Sequence, residues 1–171
     1  MEVSDRIVIF SKGDLEQIGS PREVYEQPAN EFVARFIGVM NVIECEVING
    51  LARCNELEFP SHGAVSGQKL RIGFRPYSVQ ISPDMNAYRY RGILRHTYFL
   101  GIMLRLEIEL PSGLILRSRM TKEQYGELGL ADNMPVSFQI RHYRVLATEG
   151  ETLSPEVATT HEIPAYLGAG I

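Results

Sequence analysis

No apolar run in this 171-residue sequence approaches the ~20 residues that a membrane-spanning helix needs. That excludes a helical membrane protein. The opening residues, Met1-Glu2-Val3-Ser4-Asp5-Arg6, lack the basic and then apolar order of a signal peptide, so a cytoplasmic location is expected. No GxxxxGK[ST] loop occurs, and no glycine-rich turn is set to cradle nucleotide phosphates. Histidine is sparse: the residues at 62, 96, 142 and 161 share no metal-ligand spacing. Ser61-His62 reads as a turn pair rather than a nucleophile and its base. Glu107 and Glu109 share one face of a strand, where simple alternation accounts for them as solvated. Nothing here activates a nucleophile or tunes a proton transfer, so the chain is read as having no catalytic residues, no metal site and no cofactor of its own.

Cysteine is scarce too. Cys45 and Cys54 stand without a CxxC motif or nearby histidines, which excludes a zinc site. Asn49-Gly50 between two alternating segments is a strong two-residue hairpin signal. That turn sets Ile48 opposite Leu51 and Cys45 opposite Cys54, in the closer, non-hydrogen-bonded type of pair. A disulfide is sterically allowed there, and in a reducing compartment two free thiols are expected.

Charge is present but unevenly placed. The net charge is −4, yet residues 69–144 carry 12 Lys+Arg against 6 Asp+Glu, a local +6 that leaves −10 for the remainder. A basic sheet domain with acidic flanks can attract an anion, a nucleic acid or an acidic partner surface. The plainer reading is arginine solvating the polar face of strands.

Along the chain four zones separate. Residues 1–19 contain a hairpin, with strands at 6–10 and 15–18 around the turn Ser11-Lys12-Gly13-Asp14. Its continuous run Ile7-Val8-Ile9-Phe10 requires cover on both faces, which suggests the edge of something larger. Residues 20–40 form a helical linker. Ser20-Pro21-Arg22-Glu23 is a capping box with proline at the first helical position, and Pro28 ends that helix at Gln27. Asn30 caps a second helix whose apolar stripe, Phe32, Val33, Phe36 and Ile37, ends at Gly38. The stripe is expected to be the linker's packing surface.

Residues 41–148 are rich in strands, expected at 42–48, 51–55, 69–75, 78–82, 88–99, 102–110, 114–120, 135–141 and 144–147. A third capped helix, begun by the box Thr121-Lys122-Glu123-Gln124 and ended by Gly129, falls before the last strands. The fold class is therefore mainly β: an OB-like, partly open barrel with a short N-terminal hairpin and two short helices. Residues 149–171 read as a loosely held tail. Two local features stand out. Ile72-Gly73-Phe74-Arg75-Pro76 fixes an arginine against a proline at a strand end, and His96-Thr97-Tyr98-Phe99-Leu100-Gly101 bends at a glycine between two strands.

The run DRIVIFSKGDLEQIGSPREVYEQPANEFVARFIG resembles the end of the ATP-binding subunit of bacterial ABC importers, in the branch of the maltose, polyamine and sulfate importers. Gly73-Phe74-Arg75-Pro76 is similar to that family's G-x-R-P element. Tyr98-Phe99-Leu100-Gly101, Pro111-Ser112-Gly113 and EQYGELGLADNMPVSFQIRHYRVLA are similar to elements of its C-terminal regulatory barrel, called TOBE. The resemblance spans about residues 2–148, and MTKEQYGELGL is most like sulfate/thiosulfate importer subunits. It implies that residues 1–19 are the residual edge of the ATP-binding cassette, 20–40 the linker and 41–148 the TOBE domain.

From the same resemblance come the expected partners: a second copy, the cassette, the membrane permease subunits and a small oxyanion, at the inner face of the membrane. Phosphate loop, helical signature and metal-binding aspartate strand are missing, so ATP and Mg are carried over only to the parent subunit. Val65-Ser66-Gly67-Gln68-Lys69 superficially approaches the SGGQ signature. It lacks one glycine and precedes a strand rather than a helix. Arg75, Arg95, Arg117 and Arg119 are the candidates for oxyanion binding. Two other readings stand beside this one. An OB-type single-stranded nucleic-acid binder would stack bases on Phe74, Tyr88, Tyr90, Tyr98, Phe99 and Phe138, although the acidic chain does not favour nucleic acid. A free-standing oxyanion-binding protein would have no use for the linker.

Overall fold

Residues 4–146 and 160–163 are described by the structure, a computed structural model. The chain opens with a hairpin, β1 (Ile7–Ser11) and β2 (Asp14–Gly19), whose turn uses Lys12 and Gly13 at positive φ. Two short helices follow, α1 (Pro21–Glu26) and α2 (Glu31–Ile37). Their ends are made as the local chemistry dictates. Ser20 Oγ accepts from the Glu23 N–H at 3.2 Å, and the Glu23 carboxylate accepts from the Ser20 N–H at 2.8 Å. Those bonds hold the Glu23 carboxyl below its ordinary pKa. Asn30 Oδ1 accepts from the Val33 N–H at 2.9 Å. The break at Pro28 is served from outside the linker. Gln17 on β2 donates to the Gln27 carbonyl and accepts from the Ala29 N–H, at 2.9 and 2.8 Å.

The remaining strands form two antiparallel sheets. One takes β3 (Asn41–Ile48), β4 (Leu51–Cys54), β5 (Leu57–Pro60), β6 (Lys69–Phe74), β12 (His142–Leu146) and β13 (Thr160–Glu162), in the order β13-β12-β6-β3-β4-β5. The other takes β7 (Val79–Ser82), β8 (Tyr90–Leu100), β9 (Met103–Glu109), β10 (Ile115–Thr121) and β11 (Met134–Ile140), in the order β10-β9-β8-β11-β7. Among the described residues the chain crosses between sheets twice. Arg75 and the 3-10 turn Pro76–Ser78 join β6 to β7, while Arg141 joins β11 to β12. The two crossings lie side by side, Arg141 N–H donating to the Ser78 carbonyl at 2.9 Å.

Both sheets curl around one core. Ile43, Phe59, Leu70, Ile72 and Phe74 from the first meet Leu94, Leu104, Leu106, Ile108 and Phe138 from the second. Side chains reach strand edges across the gap. Buried Asn41 brackets Arg117, donating to its carbonyl and accepting from its N–H, both at 2.8 Å. The Tyr90 hydroxyl does the same for Glu58. Ser118 Oγ donates to the Val79 carbonyl at 2.8 Å, so β10 and β7, the two edges of the second sheet, are joined by a side chain rather than a ladder. This is the mainly β, partly open OB-like barrel that the strand pattern predicts.

Several boundaries differ from expectation. β5 was not anticipated, because its turn at Asn55-Glu56 lacks the Asn-Gly signal; Asn55 supplies the positive φ of 51° that the turn needs. β12 starts at His142 rather than Arg144, and β8 at Tyr90 rather than Tyr88. Asn49 and Gly50 adopt φ of 52° and 77°, as their hairpin requires. Of the segment read as a tail, residues 160–163 alone are described, and Thr160–Glu162 pairs with β12. The helix from Thr121 is α3 (Lys122–Glu127), capped by its reciprocal box.

Candidate functional site

Where the linker meets the barrel, the structure concentrates its buried polar contacts. α2 is apolar on two sides. Val33 and Ile37 turn to the hairpin, packing with Ile7, Ile9 and Val24. Ala34 turns to the barrel, packing with Met40 and Leu146. Phe32 and Phe36 do neither: their rings stack on each other at 5.8 Å and remain exposed. The predicted apolar stripe is thus divided, and its phenylalanines form an outward patch.

Arg75 stands at the centre of this junction. It is buried, with 4% of its surface exposed. Its Nη1 donates to the carbonyls of Ala34 and Gly38 at 3.1 Å and approaches that of Val39 at 3.3 Å. Its Nη2 donates to the Tyr25 carbonyl at 2.9 Å, and its guanidinium lies 4.3 Å over the Tyr25 ring. The carbonyls of Tyr25, Ala34 and Gly38 belong to the ends of α1 and α2, where helical backbone lacks internal donors. One planar cation therefore closes both helices and ties them to the β6 corner. Burial pushes its pKa down from the ordinary guanidinium value, against the pull of Tyr25 and Tyr77, but an arginine in a protein stays charged. Pro76 confines the backbone of Arg75 to the extended region, at φ −75° and ψ 150°, which fixes the direction in which the side chain leaves the strand end.

Two further contacts support the clamp. Arg71 on β6 and Arg35 on α2 both bind the Glu31 carboxylate. Burial raises the pKa of Glu31, and the two arginines more than offset it, leaving the group below its ordinary value. Gly73 permits the close approach, since a Cβ there would sit 2.6 Å from Leu146 Cδ1 and 2.9 Å from Met40 Sδ.

The four arginines predicted as an oxyanion site do not converge. Arg75 is occupied in the junction. Arg95 pairs with Glu109, and Arg117 lies 3.7 Å from Glu107, both on the outer face of the second sheet. Arg119 lies opposite Arg105 and lines a cleft between β7 and β10. Sequence spacing marked Arg75 as unusual through its proline. The acceptors that give it its role lie 36 to 50 positions earlier, beyond any local pattern. Of the aromatics named for base stacking, Phe74, Tyr90 and Phe138 are buried in the core. Cys45 and Cys54 are free thiols; burial, with each other's proximity, pushes that of Cys45 up. No group of three or more potential metal ligands occurs among the described residues. Nor is any described helix long and apolar enough to cross a membrane.

Junction and barrel together define a class: an OB-like β domain bolted through an arginine to a two-helix linker. No protein-family model matches the chain. Individual proteins do. The sulfate/thiosulfate import ATP-binding protein of Mesostigma viride is 30% identical over 152 residues, which are 88% of this chain and 42% of that protein. The spermidine/putrescine import ATP-binding protein of Mannheimia succiniciproducens is 36% identical over 122 residues, 64% of this chain and 33% of that one. The Fe(3+) ions import ATP-binding protein of Rhizobium meliloti is 36% identical over 120 residues, 66% and 33% respectively. The chain is thus homologous to ATP-binding subunits of ABC importers, and spans about two fifths or less of the relatives it matches. Among solved structures, the cytoplasmic molybdate-binding protein ModG with molybdate bound aligns at TM-score 0.47 and 18% identity, over 58% of this chain and 89% of that one.

Proposed function

We propose that this chain is the TOBE-type regulatory portion of an ABC importer's ATP-binding subunit, in an importer of an oxyanion such as sulfate or thiosulfate. The observation that carries the reading is the Arg75 junction. A barrel whose corner closes the helices of a linker is built to move with that linker, so events on the barrel reach whatever the linker is joined to. Homology to import ATP-binding proteins supports taking that body to be a nucleotide-binding cassette.

The hairpin is the cassette's residual edge in this proposal. Val8 and Ile18, then Phe10 and Leu15, face each other across the strands and are exposed on the side away from α1 and α2. Such a face suits the remainder of a larger sheet. ATP and Mg bind in the parent subunit, and the permease subunits join through it, beside the cytoplasmic face of the membrane. This chain by itself turns over no ATP and forms a homodimer through its barrel.

Two measurements test this. Sedimentation of the chain is expected to show a monomer–dimer equilibrium; a strict monomer at high concentration removes the dimerisation role. Calorimetry with sulfate, thiosulfate and molybdate is expected to give heat with at least one of them. No heat from any of the three removes oxyanion sensing and leaves a coupling role.

A further inference from the structure

The second sheet is not closed by hydrogen bonds. Its edge strands, β10 and β7, are joined by Ser118 Oγ and the Val79 carbonyl, and beyond that point they part. A cleft of about 490 Å³ opens between them, within the usual range of small-molecule pockets, roughly 300–1,000 Å³. Val79, Ile81, Met103, Met120 and Leu128 supply its apolar lining, and Arg119 is its cationic group.

Arg119 makes no hydrogen bond or ion pair with any described residue. Its cross-strand neighbour is another cation, Arg105, and like charges directly opposite each other are unfavourable in a sheet. Arg105 is turned onto the Tyr98 ring at 4.3 Å. Backbone donors accompany the guanidinium. The N–H and C=O of Arg117 point away from β9, because Asn41 takes both. Strand alternation turns those of Arg119 the same way. On β7 the Val79 carbonyl faces β10, and alternation brings the backbone of Ile81 to the same side. The opening thus collects a planar two-pronged donor and edge N–H groups above an apolar floor. Glu127 also lines the opening, and its carboxylate disfavours a ligand with more than one negative charge.

We propose that this seam cleft binds a small monocarboxylate with an apolar body, its carboxylate on Arg119 and its hydrocarbon part on Met103, Met120 and Leu128. A planar carboxylate matches the guanidinium fork. A bare tetrahedral oxyanion would leave the apolar floor unmatched, so this site is distinct from the oxyanion reading above and stands or falls independently of it.

The chain's six methionines provide the readout. With ¹³C-methyl-methionine protein, benzoate is expected to shift the Met103 and Met120 signals saturably, with Kd below about 1 mM, while Met40 and Met134 stay in place. Benzamide, which keeps the ring and loses the charge, is expected to bind at least about tenfold more weakly, as is benzoate to Arg119→Gln. Arg119 is exposed, so this variant retains the fold, which the unchanged Met40 and Met134 signals verify. Three results would overturn the proposal: no saturable shift with benzoate, equal binding of benzamide, or sulfate moving the same two methyls with equal affinity.

Discussion

Arg75 shows how much one side chain can determine in this molecule. A surface arginine costs little to remove, but this one is buried and donates to four carbonyls of the linker. Arg75→Met keeps the stem and removes the donors. It is expected to lower stability by roughly 2–4 kcal/mol, with amide exchange in α1 and α2 accelerating more than exchange in β8 and β9. Uniform acceleration throughout would mean that Arg75 supports the barrel generally rather than the junction. Two glycines invite a similar comparison. At Gly73 an added Cβ meets the ends of Leu146 and Met40, which can give way. At Gly92 it meets Ile108 Cγ2 at 2.5 Å and the Glu109 carbonyl oxygen at 2.9 Å, which is strand backbone. Gly92→Ala is therefore expected to cost more than Gly73→Ala, on the order of 1–3 kcal/mol, as a larger drop in the urea midpoint.

Secondary-structure elements here are joined by side chains that cross from one to another. The edge strand β13 is an example. His161 on it stacks on His62 with ring centroids 3.5 Å apart, and His62 Nε2 lies 2.7 Å from the Tyr143 hydroxyl. That hydroxyl also donates to the Pro60 carbonyl at 2.7 Å, so His62 is the donor to it. Burial, and then the neighbouring His161, lowers the pKa of His62 from its ordinary value of 6.5. The folded imidazole thus binds its proton more weakly than the unfolded one. Its contribution is complete above the unfolded value and is lost as pH falls through the lower folded one. Thermal scans are expected to show Tm falling as pH drops from 7.5 toward 5, with His62→Gln flattening that slope. An unchanged slope in the variant would show that His62 does not carry the pH dependence; Glu31, held below its ordinary value, contributes a slope only at more acid pH.

Considered as a whole, the molecule is a two-sheet barrel with one core and a smaller hairpin–helix unit whose outer face is apolar. Val8, Phe10, Leu15 and Ile18 are exposed together on that unit, and they belong to none of the buried clusters of the described residues. Replacing Phe10 and Ile18 by serine is expected to change Tm by less than about 3 °C, within the small range typical of surface substitutions. Light scattering of concentrated samples is expected to fall. A large loss of Tm would show that the face is covered in the free chain.

What the sequence determined by itself was everything that depends on neighbours a few residues away. The capping boxes at Ser20 and Thr121, the Asn30 cap, the Asn49-Gly50 turn and the alternation of β9 and β10 are all of this kind. So was the resemblance to importer subunits, carried by contiguous runs of residues. Only the tertiary structure decided which long-range groups meet. Arg75 and Ala34 are 41 positions apart, Asn41 and Arg117 are 76 apart, and no periodicity spans such distances. For that reason four arginines that look equivalent in the sequence have different roles: one a buried clamp, two paired with glutamates, one open to a cleft. The apolar stripe of α2 was legible, but not its division into two packed faces and an exposed aromatic pair. That division depends on the hairpin and the barrel arriving on opposite sides of one short helix.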